Sequence, residues 1–348
     1  MTRTNHILIK NIYYMLSYAF QTLRSTNYRE LESESFEHIH DLLAEILIKG
    51  ISQQLKRGLY KVYVPFHEDL PTVRGKINIQ DSIQNKLRNR KVLSCEFEDL
   101  SLNNRYNQIL KTTLSILLKQ ENVHQERKIA IKRLLMHMGS IDTVNPYNLR
   151  RDMFKFHRNN QSYLMLLQIC YFVLDGLLLS EEKGKHKLAD YFDEQRMSSL
   201  FERFVSAYYQ KHHQQLFAGA AQVRWAIDDG FSEGLPAMIT DVTLKKGEKV
   251  LIIDTKFYYR TLQYREVYNS RSIHSANLYQ MFAYVKNKSQ QTTGSVSGLI
   301  LYAKTTETIT PDYSYMLSGN QIRVETLDLN VEFPEIAMQL DNIALNYF

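Results

Sequence analysis

The sequence predicts an α/β fold, α+β over the whole chain, and three observations carry that expectation. Apolar residues recur at helical spacing near both ends of the chain and again between residues 104 and 179. Strand-like alternation is confined to about 58–100 and to a region beyond residue 220. In that second region the order is helix, strand, hairpin, helix, strand, which suits a mixed sheet covered on both faces. At 348 residues the chain is long for one core, so two regions are expected, 1–185 and 186–348.

The N-terminal region opens with ILIKNIYYMLSYAFQTL, Ile7 to Leu23, whose apolar spacing predicts a helix, and Phe36 to Leu55 reads the same way. From Tyr60 to Phe97 the pattern changes. LYKVYVPF and KVLSCEF alternate like strands, with Pro71 and Gly75 punctuating the segment between them, so a small β-rich insert is expected. Helices follow at Asn104–Lys119 and Glu126–Met138. A polar stretch, TVNPYNLRRDMFKFHRNNQS, leads into an apolar helix from about Tyr163 to Leu179. The hydrophilic EEKGKHKLADYFDEQ marks the expected boundary. Beyond it the reading is a helix at about Met197–His212, a strand at about Ala221–Ile227, a hairpin from Pro236 to Arg260 and a helix at about Ile273–Lys286. A strand at Ser295–Lys304, a last strand near Ile322 and a helix near Pro334–Leu345 complete it.

Composition narrows the function classes. Hydrophobic residues at 44% and charged residues at 23% exclude wholesale disorder. A net charge of +6 admits a polyanionic partner without requiring one. Cys95 and Cys170 are too few for a disulfide framework or a four-cysteine cluster. No apolar run reaches the roughly 18 residues of a membrane span, and the N-terminus lacks a signal-peptide pattern, so a cytoplasmic protein with no membrane partner is expected. The GxxxxGK[ST] phosphate loop is missing around Gly75-Lys76, because position 70 is Leu and position 77 is Ile. His67-Glu68 and His212-His213 lack zincin spacing, and no G-x-S-x-G elbow or dinucleotide fingerprint is present.

The hairpin PAMITDVTLKKGEKVLIIDTKFYYR carries the chemistry. Asp254 and Lys256 are two apart on a strand and project from one face, in line with Val250 and Ile252. KKGEK turns the chain back and brings Asp241 near Asp254, directly opposed or diagonal according to the turn's register. Two carboxylates this close in apolar surroundings repel each other and resist desolvation unless a cation lies between them. Mg²⁺ accepts such a shell of two Asp carboxylates, one main-chain carbonyl and water. Lys256 on the same edge suits a role in orienting a water or neutralising charge on a phosphate. A surface ion pair between Asp254 and Lys256 is the plain alternative.

This order of elements resembles the PD-(D/E)xK nuclease superfamily, with Thr240 where the motif's Pro would stand. The resemblance implies a C-terminal restriction-endonuclease-like domain with Asp241, Asp254 and the Thr255 carbonyl as metal ligands, Lys256 as the catalytic lysine and Glu202 as a metal-associated glutamate on the preceding helix. Ser199 with Glu202 in a capping box is the competing reading. Gln280 and Tyr284 match the Gln-x-x-x-Tyr element of the RecB-like branch, and four residues apart they share a helical face.

The N-terminal half is more specific. Asn11-Ile12-Tyr13-Tyr14-Met15-Leu16, Arg57-Gly58-Leu59, Arg74-Gly75-Lys76-Ile77 and Asn104-Arg105, together with IIDTKFY and NLYQMFAY, are similar to the McrC family, nuclease subunits of McrBC modification-dependent restriction systems. That resemblance implies a partner, an McrB-like AAA+ GTPase hexamer that reads modified cytosine, and double-stranded DNA as substrate. The implied cofactor is Mg²⁺ or Mn²⁺, with GTP entering only through the partner. The insert would then be a projection into the partner's channel, with Arg57, Arg74 and Lys76 at hand and KLRNRK (Lys86–Lys91) as a phosphate-tracking or merely solvated run. An autonomous RecB-like repair exonuclease and a non-catalytic GTPase-activating assembly subunit are the alternatives.

Overall fold

The computed structural model describes residues 3–4, 7–20, 23, 28, 31, 34, 36, 38–146, 161–182, 187–258, 261–265, 270–304 and 310–348. In chain order the elements begin with β1 (Arg3–Thr4), β2 (Ile7–Leu8), α1 (Ile9–Ala19), α2 (Ile39–Arg57), β3 (Val62–Leu70), β4 (Lys76–Ile77), α3 (Ile79–Leu87) and β5 (Leu93–Ser101). Then come α4 (Arg105–Leu117), α5 (Gln125–His137), α6 (Gln161–Glu182), α7 (Lys187–His212), β6 (Phe217–Gly219), β7 (Gln222–Val223) and β8 (Met238–Ile239). The chain closes with β9 (Val242–Lys246), β10 (Lys249–Lys256), β11 (Leu262–Arg265), β12 (Ser270–Ile273), α8 (Ser275–Ser289), β13 (Val296–Ala303), β14 (Tyr313–Leu317), β15 (Asn320–Leu327) and α9 (Phe333–Tyr347).

The expected α/β class holds, but the chain divides differently from a single cut at residue 185. One unit comprises 1–42 with 175–348, the other 43–174. The first 42 residues group with the C-terminal part for a physical reason. α1 packs against α7, and buried Asn11 donates from Nδ2 to the main-chain oxygens of Leu329 (2.9 Å) and Val331 (2.7 Å). A buried amide that satisfies two distant carbonyls fixes this attachment, because leaving those groups unpaired would cost about 1–3 kcal/mol each.

The first unit is built on a six-stranded sheet in the order β14-β15-β13-β10-β9-β6. β10 and β13 run parallel, as do β13 and β15, while the outer pairs are antiparallel. Parallel neighbours need a crossover, and α8 supplies the one between β10 and β13. Met281, Tyr284 and Val285 of α8 bury one sheet face together with Val250, Ile252, Ile300, Tyr302, Ile322 and Val324. Side chains of the alternate residues, such as Leu251, Ile253, Leu299 and Leu301, are buried on the opposite face. α7 packs against β6, β9 and β10, and α9 against β15. Tyr209 of α7 ties the two helices together by donating to the Leu340 oxygen at 2.9 Å.

Gly298 sets how closely α8 approaches the sheet. A Cβ there would lie 2.5 Å from the Met281 Sδ and 2.9 Å from the Val285 Cγ2. Gly298→Ala is expected to lower stability by about 1–3 kcal/mol through overpacking, read as a drop in thermal midpoint. Unchanged stability would show that the Met281 side chain steps aside freely.

In the second unit, α2, α4, α5 and α6 bury Leu47, Ile51, Leu110, Leu114, Ile131, Leu166 and Cys170. Arg127 on α5 pairs with Glu45 on α2 at 3.1 Å. Asn104 caps α4, its Oδ1 accepting from the Asn107 N–H at 3.2 Å while its Nδ2 donates to the Tyr60 oxygen at 2.8 Å. The expected insert forms a sheet in the order β3-β5-β4 and also contains α3. In the bend before β4, Gly75 has a φ of +70° and its Cβ position would fall 2.4 Å from the Glu96 oxygen, so only glycine fits.

Several element boundaries move. α1 is shorter than Ile7–Leu23, because Ile7–Leu8 pairs with Arg3–Thr4 as a small ladder. α7 begins at Lys187, well before Met197, so the hydrophilic EEKGKHKLADYFDEQ is largely helical. The strand expected at Ala221–Ile227 reduces to Gln222–Val223, paired with Met238–Ile239 outside the main sheet, and Phe217–Gly219 takes the sheet edge. The polar stretch before α6 lies mostly outside the described residues.

Candidate active site

The site sits where β10 ends beneath the start of α8. β9 and β10 are joined by Gly247-Glu248, with Gly247 at a φ of +57°, the position a two-residue hairpin reserves for glycine. The turn fixes the register that sequence alone left open. Ile253 pairs with Val242, and one step further places Asp241 directly opposite Asp254.

Asp241 is half-buried, and its Oδ2 accepts from both the Thr255 N–H (2.7 Å) and the Thr255 Oγ1 (2.9 Å). The β9–β10 ladder has ended at this point, and the carboxylate takes over the role of strand partner. A strand residue turns its N–H and C=O toward the same edge, so the Thr255 carbonyl faces the Asp241 side.

Asp254 is 0% exposed. Lys256 Nζ stands 2.8 Å from its Oδ2 as an ion pair, and among the described residues no other group hydrogen-bonds to either carboxylate oxygen. Burial pushes the Asp254 carboxyl up to about 6; Lys256 opposes the rise, and the Asp241 and Glu202 charges add to it. For Lys256, burial alone would lower the pKa, but the Asp254 charge outweighs it and holds the amine above its usual value. The pair is therefore not the surface ion pair of the plain alternative. It is a buried one whose Oδ1 has no partner of its own, and a buried acceptor of that kind suits a cation.

Gln280 and Tyr284 join the same group as a chain. Lys256 Nζ donates to the Gln280 Oε1 at 3.4 Å, the Gln280 Nε2 donates to the Tyr284 OH at 2.9 Å, and that hydroxyl donates to the Ile239 oxygen at 2.9 Å. The helical pair thus steadies both the lysine and the strand entering Asp241. Glu202 lies mid-helix in α7, far from both Lys187 and His212, so it caps nothing and the Ser199 capping box falls away. Its carboxyl is half-buried and raised above the usual range, first by burial and then by the Asp241 charge.

Among the described residues no three His, Cys, Asp or Glu side chains converge as a metal cluster. Glu202 is near enough to the hairpin for its charge and those of Asp241 and Asp254 to bear on one another. The donor set that fits a hard divalent cation is Asp254 Oδ1 and Oδ2, the Asp241 oxygen not held by Thr255, and the Thr255 carbonyl. Sequence reasoning missed Tyr258, Asn277 and Tyr302, which form a second polar chain beside the pair. The Tyr258 OH donates to the Asn277 Oδ1 at 3.1 Å and the Asn277 Nδ2 donates to the Tyr302 OH at 2.9 Å.

In the insert, Arg74 is already engaged. Its guanidinium lies 4.1 Å over the Phe97 ring and its Nη2 pairs with Asp99 at 2.7 Å. α3 presents Ile79, Ile83 and Leu87 exposed along one side at four-residue spacing. No described helix is long and apolar enough to cross a membrane.

The family described as McrBC 5-methylcytosine restriction system component matches residues 3–303. A curated relative from Escherichia coli (strain K12), the type IV methyl-directed restriction enzyme EcoKMcrBC, is 27% identical over 345 residues, covering 98% of this chain and 98% of that one. Among solved structures, a half-complex from the tetradecameric assembly of Thermococcus gammatolerans McrB AAA+ hexamers with bound McrC shares the fold at a TM-score of 0.52. The identity there is 17%, over 96% of this chain and 76% of that chain.

Proposed function

This chain belongs to the McrBC 5-methylcytosine restriction system component family, and from that premise we propose that it is the DNA-cutting McrC subunit, a PD-(D/E)xK endonuclease that hydrolyses phosphodiester bonds. One observation carries the reading. A fully buried aspartate, one oxygen paired with a lysine and the other unpartnered, stands opposite a second aspartate at the carboxyl end of a sheet strand, where ligands of α/β sheets bind.

Asp254, Asp241 and the Thr255 carbonyl would hold the divalent cation, Mg²⁺ or Mn²⁺. When bound, that cation supplies charge neutralisation at the scissile phosphodiester. The chain's own residues do the rest. Lys256, held between Asp254 and Gln280, directs its ammonium to the attacking water and to the negative charge growing on the phosphate. Glu202 keeps the local field negative, which retains the cation and the ammonium. In the hydrolysis the water oxygen forms the new P–O bond, the ester P–O bond breaks, and the departing oxygen ends protonated.

The partner in this reading is an McrB-like AAA+ GTPase hexamer. The structural neighbour's described assembly and the exposed apolar side of α3 both support it. In this reading the insert, in 43–174, meets the partner, and the nuclease site, in the unit of 1–42 and 175–348, takes double-stranded DNA.

The test is reconstitution with the AAA+ partner, GTP and Mg²⁺, on cytosine-methylated and unmethylated plasmids. Cutting of the methylated plasmid alone, and only with GTP, is the expected result. Degradation of unmethylated linear DNA by the chain alone would favour an autonomous exonuclease. Stimulated GTPase with no cutting under any condition would leave only an assembly subunit.

A further inference from the structure

Asn277 is 5% exposed in the first turn of α8 and spans two phenols that flank the Asp254–Lys256 pair. Tyr258 follows Lys256 by two residues, and Tyr302 is the register partner of Lys256 on β13. Their ring centroids are 6.0 Å apart.

A side-chain amide has one acceptor end and one donor end, and here both are in use. Asn277 Oδ1 takes the only proton of Tyr258, which leaves the Tyr258 oxygen able to act solely as an acceptor. Asn277 Nδ2 fills a lone pair of Tyr302, which leaves the Tyr302 proton available for donation. We propose that Asn277 is a positioning residue that sets the polarity of both phenols, leaving Tyr258 an acceptor and Tyr302 a donor on the sheet face that carries Asp254 and Lys256. The inference rests on the nuclease reading for its catalytic consequence, but the hydrogen-bond polarity itself is independent of that reading. The Gln280–Tyr284 chain differs in that it ends on a backbone carbonyl.

Asn277→Asp is the discriminating variant. A carboxylate accepts from both phenols, so the Tyr302 proton is taken up by the new carboxylate while the side-chain volume is preserved. Two readouts are taken on the full chain. In NMR spectra with ¹³Cζ-labelled tyrosine, assigned with Tyr258→Phe and Tyr302→Phe, Asn277→Asp should shift both resonances. In the reconstituted cleavage reaction, Asn277→Asp and Tyr302→Phe should each lower kcat about tenfold with KM for DNA changed less than about threefold, and the double variant should be no slower than Asn277→Asp alone. Thermal midpoints within a few degrees of the parent separate this from loss of fold. Unmoved tyrosine resonances overturn the inference, as do strictly additive losses or a kcat that stays unchanged. If the parent chain cuts no DNA under any condition, the nuclease reading fails, and the NMR arm still decides the polarity.

Discussion

Asp254→Ala is expected to reduce DNA cleavage at least about 10³-fold while leaving stimulation of the partner's GTPase within about twofold of the parent. The size follows from what the substitution removes. Asp254 contributes the unpartnered Oδ1 to the proposed cation shell, and its Oδ2 is the anion that keeps Lys256 charged and in place. One change therefore strips the main part of the proposed cation shell and releases the proposed catalytic amine. The site lies in the unit formed by 1–42 and 175–348, whereas the insert proposed to meet the GTPase lies in 43–174, so the two activities should separate. Single-turnover cleavage of methylated plasmid and steady-state GTP hydrolysis, run on the same preparation, read both. Parallel loss of the two activities would mean that the hairpin serves assembly rather than cutting, and full cleavage by the variant would remove Asp254 from the chemistry altogether.

The acidic hairpin was legible because its signal is local. Alternation at period two puts Asp254 and Lys256 on one face whatever the rest of the chain does, and four-residue spacing does the same for Gln280 and Tyr284. What alternation does not determine is register, which depended on the conformation adopted at Gly247. Elements whose stability comes from distant partners were read poorly. β14 and its turn into β15 were missed because the turn uses Ser318 at a φ of 48° before Gly319, and serine gives little warning of that conformation. The attachment of α1 to the C-terminal unit rests on Asn11, whose carbonyl partners are more than 300 positions away. Tyr302 sits in the strand VSGLILYA, where a tyrosine reads as core, and its link through Asn277 to Tyr258 exists only once α8 has crossed over the sheet.

Ionising Asp254 works against the fold, and the sign of that effect makes the second large prediction. Its folded-state pKa of about 6 lies above the value of 3.8 for an unperturbed carboxyl. Below pH 3.8 both folded and unfolded chains carry the proton and there is no difference. As pH rises toward 6 the unfolded chain gives up the proton first, so stability is progressively lost, and above 6 the full cost is present, roughly 3 kcal/mol. Glu202, also raised, acts in the same direction. Lys256 stays charged throughout this window because its pKa is held above the ordinary value of 10.5. Asp254→Asn removes the titrating group, so the stability of this variant relative to the parent should improve by about 3 kcal/mol between pH 4 and pH 7.5, the difference cancelling every other group's titration. A divalent cation is expected to offset the same cost. At pH 7.5, saturating Mg²⁺ should raise the parent's melting temperature by several degrees, at pH 4 it should do nothing, and in Asp254→Asn the shift should be largely gone. Calorimetric melts across that pH range with and without Mg²⁺ read all of this. A parent that gains no stability from Mg²⁺ or Mn²⁺ at pH 7.5 would show that the buried carboxylate is balanced by Lys256 alone, and the site would then have no call on a metal.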